Sequence, residues 1–94
     1  MDEVLRELMH LGLSEKEAAV YAASLELGPA PVQDIAHKSK VNRATTYVMI
    51  ESLAGRGLMS AFVRGKKRFY VPESPDRLRS ILRIQRREIE EKES

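Results

Sequence analysis

Short polar side chains and one arginine gather at the start of residues 41–59, VNRATTYVMIESLAGRGLM. Arg43 can donate two parallel hydrogen bonds to a planar pair of acceptors such as O6 and N7 of guanine, and a threonine offers a hydroxyl and a methyl group to a base. Arg43, Thr45 and Thr46 therefore have the chemistry of side chains that contact base edges. Asn42 can also contact a base, but its more frequent role at a helix start is to cap the first turn.

Two residues of this segment can instead belong to the hydrophobic core. Thr46 lies on the same helical stripe as Ile50 and Leu53, so it can belong to the core instead of the surface. Tyr47 can present its hydroxyl to a phosphate, but an aromatic ring one turn into a packed helix can also lie inside. The sequence leaves both alternatives open.

A second group of cations occupies the stretch RGKKR, in which four of five residues are basic. These cations are Arg64, Lys66, Lys67 and Arg68. Because β-prone runs flank them, the stretch is expected at the tip of a hairpin, from which cations can reach a minor groove or flanking phosphates. Lysines on a β-edge can also serve only to prevent aggregation, but that role does not require so dense a cluster.

Charge is distributed unevenly along the 94 residues, although the net charge is only +2. Residues 1–34 hold seven acids and two bases, whereas residues 35–70 hold eight bases and one acid. A positive field over the middle third attracts a polyanion, and nucleic acid is the commonest candidate. The alternative is a solvated basic face without a partner. Lys40, which lies in this region, joins the expected DNA-binding set.

Composition limits the other classes of function. A chain of this length forms one small domain with little room for a deep catalytic cleft. The absence of cysteine excludes disulfides and thiol catalysis, and it is compatible with the cytoplasm. The spacing of His10 and His37 does not suit a metal site, and residues 55–57 are not followed by the residues of a phosphate loop. We therefore expect no catalytic residue, no metal and no cofactor.

Neither a membrane nor export is indicated by the sequence. No apolar run approaches the roughly 18 residues of a membrane span, and the acidic start of the chain differs from the basic leader of a signal peptide. We expect a cytoplasmic protein associated with the nucleoid.

Helical periodicity and cap signals predict four helices before the cationic hairpin. Ser14 and Glu17 have the spacing of a capping box, and the second helix that they begin is apolar on nearly every side. A tight turn from the third helix into the fourth predicts a helix-turn-helix. The predicted helices are at about 2–11, 15–27, 31–39 and 42–55, and the β-prone runs are at 58–63 and 67–71.

A further helix is predicted after Ser74-Pro75-Asp76, a strong helix-start signal. Its apolar stripe consists of Leu78, Ile81, Leu82, Gln85 and Ile89. The stripe favours dimerisation in the manner of a coiled coil, and the alternative is that it packs onto its own domain. The expected fold is mainly α with a small β-hairpin. It is a winged helix-turn-helix over residues 1–73, followed by a dimerisation segment over 74–94.

The stretch LGLSEKEAAVYAASLELGPAPVQDIAHKSKVNRATTYVMIESLAGRGLMSAFVRGKKRFYVP, residues 11–72, resembles the N-terminal winged-helix domain of the TrmB-like transcriptional regulators of archaea and bacteria. The resemblance implies a dimer that binds operator DNA, with recognition-helix positions at Arg43, Thr45 and Thr46 and a wing at 64–68. Larger members continue into a sugar-binding domain that has no counterpart here. The chain is thus either a short stand-alone regulator or one that ends within its last helix.

These observations together predict a sequence-specific regulator of transcription that binds double-stranded DNA as a homodimer. The alternatives are a winged-helix module that binds a protein and a DNA-binding protein without sequence preference.

Overall fold

The computed structural model describes residues 2–74 and 76, and its elements follow the predicted order. The helices are α1 (Asp2–His10), α2 (Glu15–Leu27), α3 (Val32–Ser39) and α4 (Arg43–Gly55). The strands are β1 (Met59–Arg64) and β2 (Lys67–Pro72), which pair antiparallel. This mainly helical arrangement with one hairpin confirms the predicted winged helix-turn-helix.

The segment predicted to dimerise is only partly covered by the described residues. The backbone N–H of Asp76 donates to Ser74 Oγ at 3.2 Å, as the helix-start signal predicts. The stripe of Leu78, Ile81, Leu82, Gln85 and Ile89 lies outside the described residues, so the dimerisation helix and the division at residue 74 stay predictions.

The core is built around α2. Its predicted capping box is present: Ser14 Oγ accepts from the Glu17 N–H at 3.1 Å, and Glu17 Oε1 accepts from the Ser14 N–H at 3.0 Å. The body of the helix is buried nearly all round, and its small alanines let other helices approach closely. The expectation of central burial fails only in the last turn, where Leu25 and Leu27 are exposed just before the chain leaves the core at Gly28.

The helix-turn-helix places one face of α4 on the core. Lys40 ends α3 in the left-handed conformation, with φ 61°. Asn42 then caps α4, because its Oδ1 accepts from the Thr45 N–H at 2.7 Å. The buried stripe of α4 consists of Thr46, Ile50 and Leu53. The opposite face of α4 is consequently left to solvent.

The hairpin, which we call the wing, is held against the helices at its base. Tyr70 and Ala30 exchange two backbone hydrogen bonds, of 2.8 and 3.2 Å, which join β2 to the α2–α3 connection. The tip turns through Gly65 at a φ of 65°, a left-handed conformation that glycine adopts without steric cost. The cations around that tip thus stand on a ribbon with a fixed base.

A buried carboxylate joins α2 to the end of α4. Glu17 is 6% exposed, and its Oε2 accepts from Ser52 Oγ at 2.7 Å and lies 3.7 Å from Arg56 Nε. Arg56 Nη1 also donates to the carbonyl of Gly12 at 3.2 Å. Burial alone would raise the pKa of Glu17, but the hydrogen bonds from Ser14 and Ser52, with the charge of Arg56, lower it below its ordinary value of 4.5.

This network predicts a pH-dependent contribution to stability. Glu17→Gln keeps the shape but removes the charge, so the free energy of unfolding at pH 7 should fall by about 1.5 to 3 kcal/mol, the range for hydrogen bonds to a charged group. Because the folded-state pKa is lowered, the contribution is complete above pH 4.5 and is lost as the pH falls through that lowered value. Urea unfolding of both proteins at several pH values measures it. A difference that persisted unchanged in acid would assign the loss to shape instead of charge.

Candidate nucleic-acid interface

The first two turns of α4 present an arginine and a tyrosine together. Arg43 is exposed, and its guanidinium carbon lies 6.0 Å from the ring centroid of Tyr47, at the outer limit of a cation–π contact. Tyr47 is itself 40% exposed, so its ring lies on the surface and not in the core. The two side chains share the side of α4 that is nearer to the wing.

A cleft of about 300 Å³ separates this part of α4 from the wing. We call it the cationic cleft, and its polar and aromatic lining includes Gln33, Arg43, Tyr47, Lys66, Lys67 and Arg68. Gln33 comes from the first turn of α3, Arg43 and Tyr47 from α4, and the other three from the wing. The fold thus brings together the two cationic groups that are more than twenty positions apart in the sequence.

Among the described residues, no acid forms an ion pair with the cations that line the cationic cleft. Within residues 2–74 and 76, ion pairs join Lys38 to Glu26 at 3.2 Å and Arg56 to Glu17 at 3.7 Å. Arg43 and the three wing cations form none with the described residues. Four uncompensated cations around one opening attract an anion, and a chain of phosphates satisfies several of them at once.

The remaining candidates lie beside the cationic cleft or away from it. Lys40 and Asn42 line a second, more open concavity at the α3–α4 turn, together with His37. The Oδ1 of Asn42 is occupied by the helix cap, which favours its structural role. Thr45 is half-buried on the flank of α4, and Arg64 is exposed at the end of β1, opposite Lys67 in the strand register.

The structure corrects the prediction that Thr46 contacts a base edge. Its side chain has no solvent exposure, and its hydroxyl donates to the carbonyl of Asn42 at 2.8 Å or to that of Val41 at 3.3 Å. A group so placed cannot reach a base without partial unfolding of α4. The alternative that its helical stripe raised is therefore the right one, and Thr46 belongs to the core.

Exposed residues of α4 that sequence analysis did not single out complete this surface. Ala44, Val48 and Glu51 occupy the face opposite the buried stripe. Helical periodicity was the signal that could have found them, since they lie about half a turn from Thr46, Ile50 and Leu53.

No group of three His, Cys, Asp or Glu side chains within residues 2–74 and 76 is arranged to hold a metal ion. No helix in the same part of the chain is long and apolar enough to cross a membrane.

Comparisons with known proteins agree with this geometry. Residues 8–76 match the family model described as sugar-specific transcriptional regulator TrmB. TrmBL2, an archaeal chromatin protein whose structure shows a novel mode of DNA binding, is 26% identical, and the match covers 97% of this chain with a TM-score of 0.82. This chain spans only 35% of the length of TrmBL2. No curated protein sequence matches the chain.

Two more distant structures share the fold. BpsR of Bordetella bronchiseptica, whose DNA binding is regulated by 6-hydroxynicotinic acid, is 22% identical over 69% of this chain and 48% of its own, with a TM-score of 0.64. The homodimeric winged helix-turn-helix DNA-binding domain of Mb0332 from Mycobacterium bovis is 20% identical over 98% of this chain and 87% of its own, with a TM-score of 0.62. At these identities the two structures support the fold alone.

Proposed function

The chain belongs to the TrmB family, and from that membership we propose that it is a sequence-specific regulator of transcription that binds double-stranded DNA as a homodimer. Its place of action is the cytoplasm, on the nucleoid. The observation that carries the proposal is the cationic cleft, in which Arg43 and the wing cations converge without an ion pair to any acid of the described residues.

The shape of the surface suits duplex DNA. A major groove about 12 Å wide admits an α-helix, and α4 offers its exposed face and N-terminal turn for insertion. With α4 in that groove, Lys66, Lys67 and Arg68 face the neighbouring sugar–phosphate backbone or the minor groove. Lys40, Asn42 and Thr45 border the same end of α4, and Arg64 extends the wing surface.

Selection from a random duplex library at about 150 mM salt tests the proposal. A two-fold dimer should enrich an inverted repeat whose half-sites are about 10 base pairs apart, or a multiple of that. Retention without enrichment would instead indicate binding without sequence preference. No retention of any duplex would indicate a winged-helix module that binds a protein.

Arg43 is expected to contribute sequence preference as well as affinity. Arg43→Ala should weaken binding to the selected site by roughly tenfold or more and relax the preference at one guanine, because one bidentate contact contributes about 1 to 3 kcal/mol of discrimination. Arg43→Lys keeps the charge but not the forked donor, so it should recover affinity more than preference.

Competition binding with each of the four base pairs at that position measures the effect. Arg6→Ala removes the same charge from the exposed surface of α1 and serves as the matched control. An unchanged preferred sequence in Arg43→Ala would show that Arg43 contacts only phosphates.

A further inference from the structure

The face of α4 that points directly away from the core is not its most polar face. Thr46, Ile50 and Leu53 mark the buried stripe, and Ala44, Val48 and Glu51 lie opposite. If α4 enters a major groove, Ala44 and Val48 face the base edges and Arg43 and Tyr47 lie on the flank toward the wing. Glu51 lies between the two, because it also lines a concavity with Tyr47 and Arg68.

Folding gives no reason for a valine at position 48. Its side chain is 56% exposed, so it contributes little to the core. A β-branched residue is also a poorer helix former than alanine, because the preceding turn restricts its χ1 angle. Single exposed apolar residues are common, but this one lies in the second turn of the helix, at the centre of its outward face. An apolar group there suits the C5-methyl of thymine, which only the major groove displays.

Glu51 is equally unusual in its surroundings. It is the only acid among residues 35–70 and is exposed. Its carboxylate forms no hydrogen bond or ion pair with the described residues. A carboxylate here repels phosphates and lowers the affinity for any DNA. In the major groove, however, a carboxylate can accept a hydrogen bond from the N4 amino group of cytosine.

We infer that Val48 and Glu51 add to the base preference that Arg43 provides, Val48 by packing on a thymine methyl and Glu51 by accepting from a cytosine amino group. The inference rests on the proposed function and names two residues that would recognise particular bases. Three residues along a helix advance about 4.5 Å, and base pairs stack about 3.4 Å apart. The two bases should therefore belong to adjacent or next-adjacent base pairs of one half-site.

Deoxyuridine substitution tests Val48, since deoxyuridine differs from thymidine only in lacking the methyl group. In the site selected from the duplex library, one thymine should exist whose replacement weakens wild-type binding about fourfold, the factor expected for one buried methyl group. Val48→Ala should bind the two duplexes equally and keep its fold, because alanine favours the helix. The inference is overturned if no thymine methyl affects the wild type, or if Val48→Ala responds to its loss as the wild type does.

Removal of the Glu51 carboxylate should have two opposite effects, on general affinity and on base preference, and together they test its role. Glu51→Ala should bind random-sequence duplex more tightly, because a repulsive charge is lost, and should discriminate against replacement of one cytosine at least about tenfold less than the wild type does. Glu7→Ala removes an exposed acid from α1 and is the matched control. An incidental acid at position 51 would raise affinity for every sequence by one factor and leave the cytosine preference intact, contrary to the inference.

Failure of this inference is distinguishable from failure of the proposed function. If the wild type selects no sequence, the proposed function fails and the assignment falls with it. If it selects an inverted repeat but Val48→Ala and Glu51→Ala select the same repeat with the same preferences, only the assignment of Val48 and Glu51 is wrong.

Discussion

Replacing Lys66, Lys67 and Arg68 together by alanine is expected to weaken duplex DNA binding by about 100-fold at 150 mM salt. Each phosphate contact of a cation contributes roughly 0.9 to the slope of log K against log salt concentration. At 0.15 M salt such a contact corresponds to a factor of about five, and three of them together to about 100 to 200. The three side chains line one cleft and form no ion pair within the part of the chain that the structure describes, so each can contact a phosphate.

The salt dependence of the affinity distinguishes phosphate contacts by the wing from a general effect of lost positive charge. Titrations between about 50 and 300 mM salt should show the slope reduced by about 2.7 in the wing variant. The control removes three other exposed cations, Arg6, Lys16 and Lys38, none of which lines the cleft. Equal losses of DNA-binding affinity in the two variants would show that the effect depends only on net charge. An unchanged salt slope in the wing variant would mean that the wing does not contact phosphates.

The fold could be predicted where local signals decide it. The caps that begin α2 and α4 each join residues three positions apart, so a short stretch of sequence contains the whole signal. The pairs are Ser14 with Glu17 and Asn42 with Thr45. Contacts between distant positions left no such local signal. The bond from Ser52 to Glu17 joins residues 35 positions apart, and nothing in either segment identifies the other as its partner.

The candidate site could be predicted in part, for a related reason. Arg43 and the wing cations were expected at the surface because burying an unpaired charge is costly. Thr46 was ambiguous because a threonine at the edge of an apolar stripe can satisfy its hydroxyl on the helix backbone, as it does on Asn42. Val48 was overlooked because a valine is typical of a core, although helical periodicity places it opposite the stripe of Thr46, Ile50 and Leu53, where the structure exposes it.

Leu53→Ala is expected to lower the free energy of unfolding by about 3 kcal/mol, the second large effect. The side chain has no solvent exposure and belongs to the core cluster that holds α4 against α2. Truncation of a fully buried leucine removes its burial and leaves a cavity, which typically costs about 2 to 5 kcal/mol. Urea unfolding at a fixed protein concentration measures the loss. Leu25→Ala, on the exposed last turn of α2, should cost far less.

The loss of stability in Leu53→Ala and the loss of DNA affinity in the wing variant should occur independently. A domain of 94 residues is typically stable by about 5 to 14 kcal/mol, so the loss at Leu53 still leaves more than about 90% of the molecules folded at 25 °C. Leu53→Ala should therefore unfold at a lower temperature but bind DNA almost as the wild type does. The wing variant should show the reverse, with stability kept and affinity lost, because its side chains are exposed. If Leu53→Ala lost affinity as severely while still folded, α4 would depend on core packing for its precise placement in the groove, and core and interface could no longer be treated as independent.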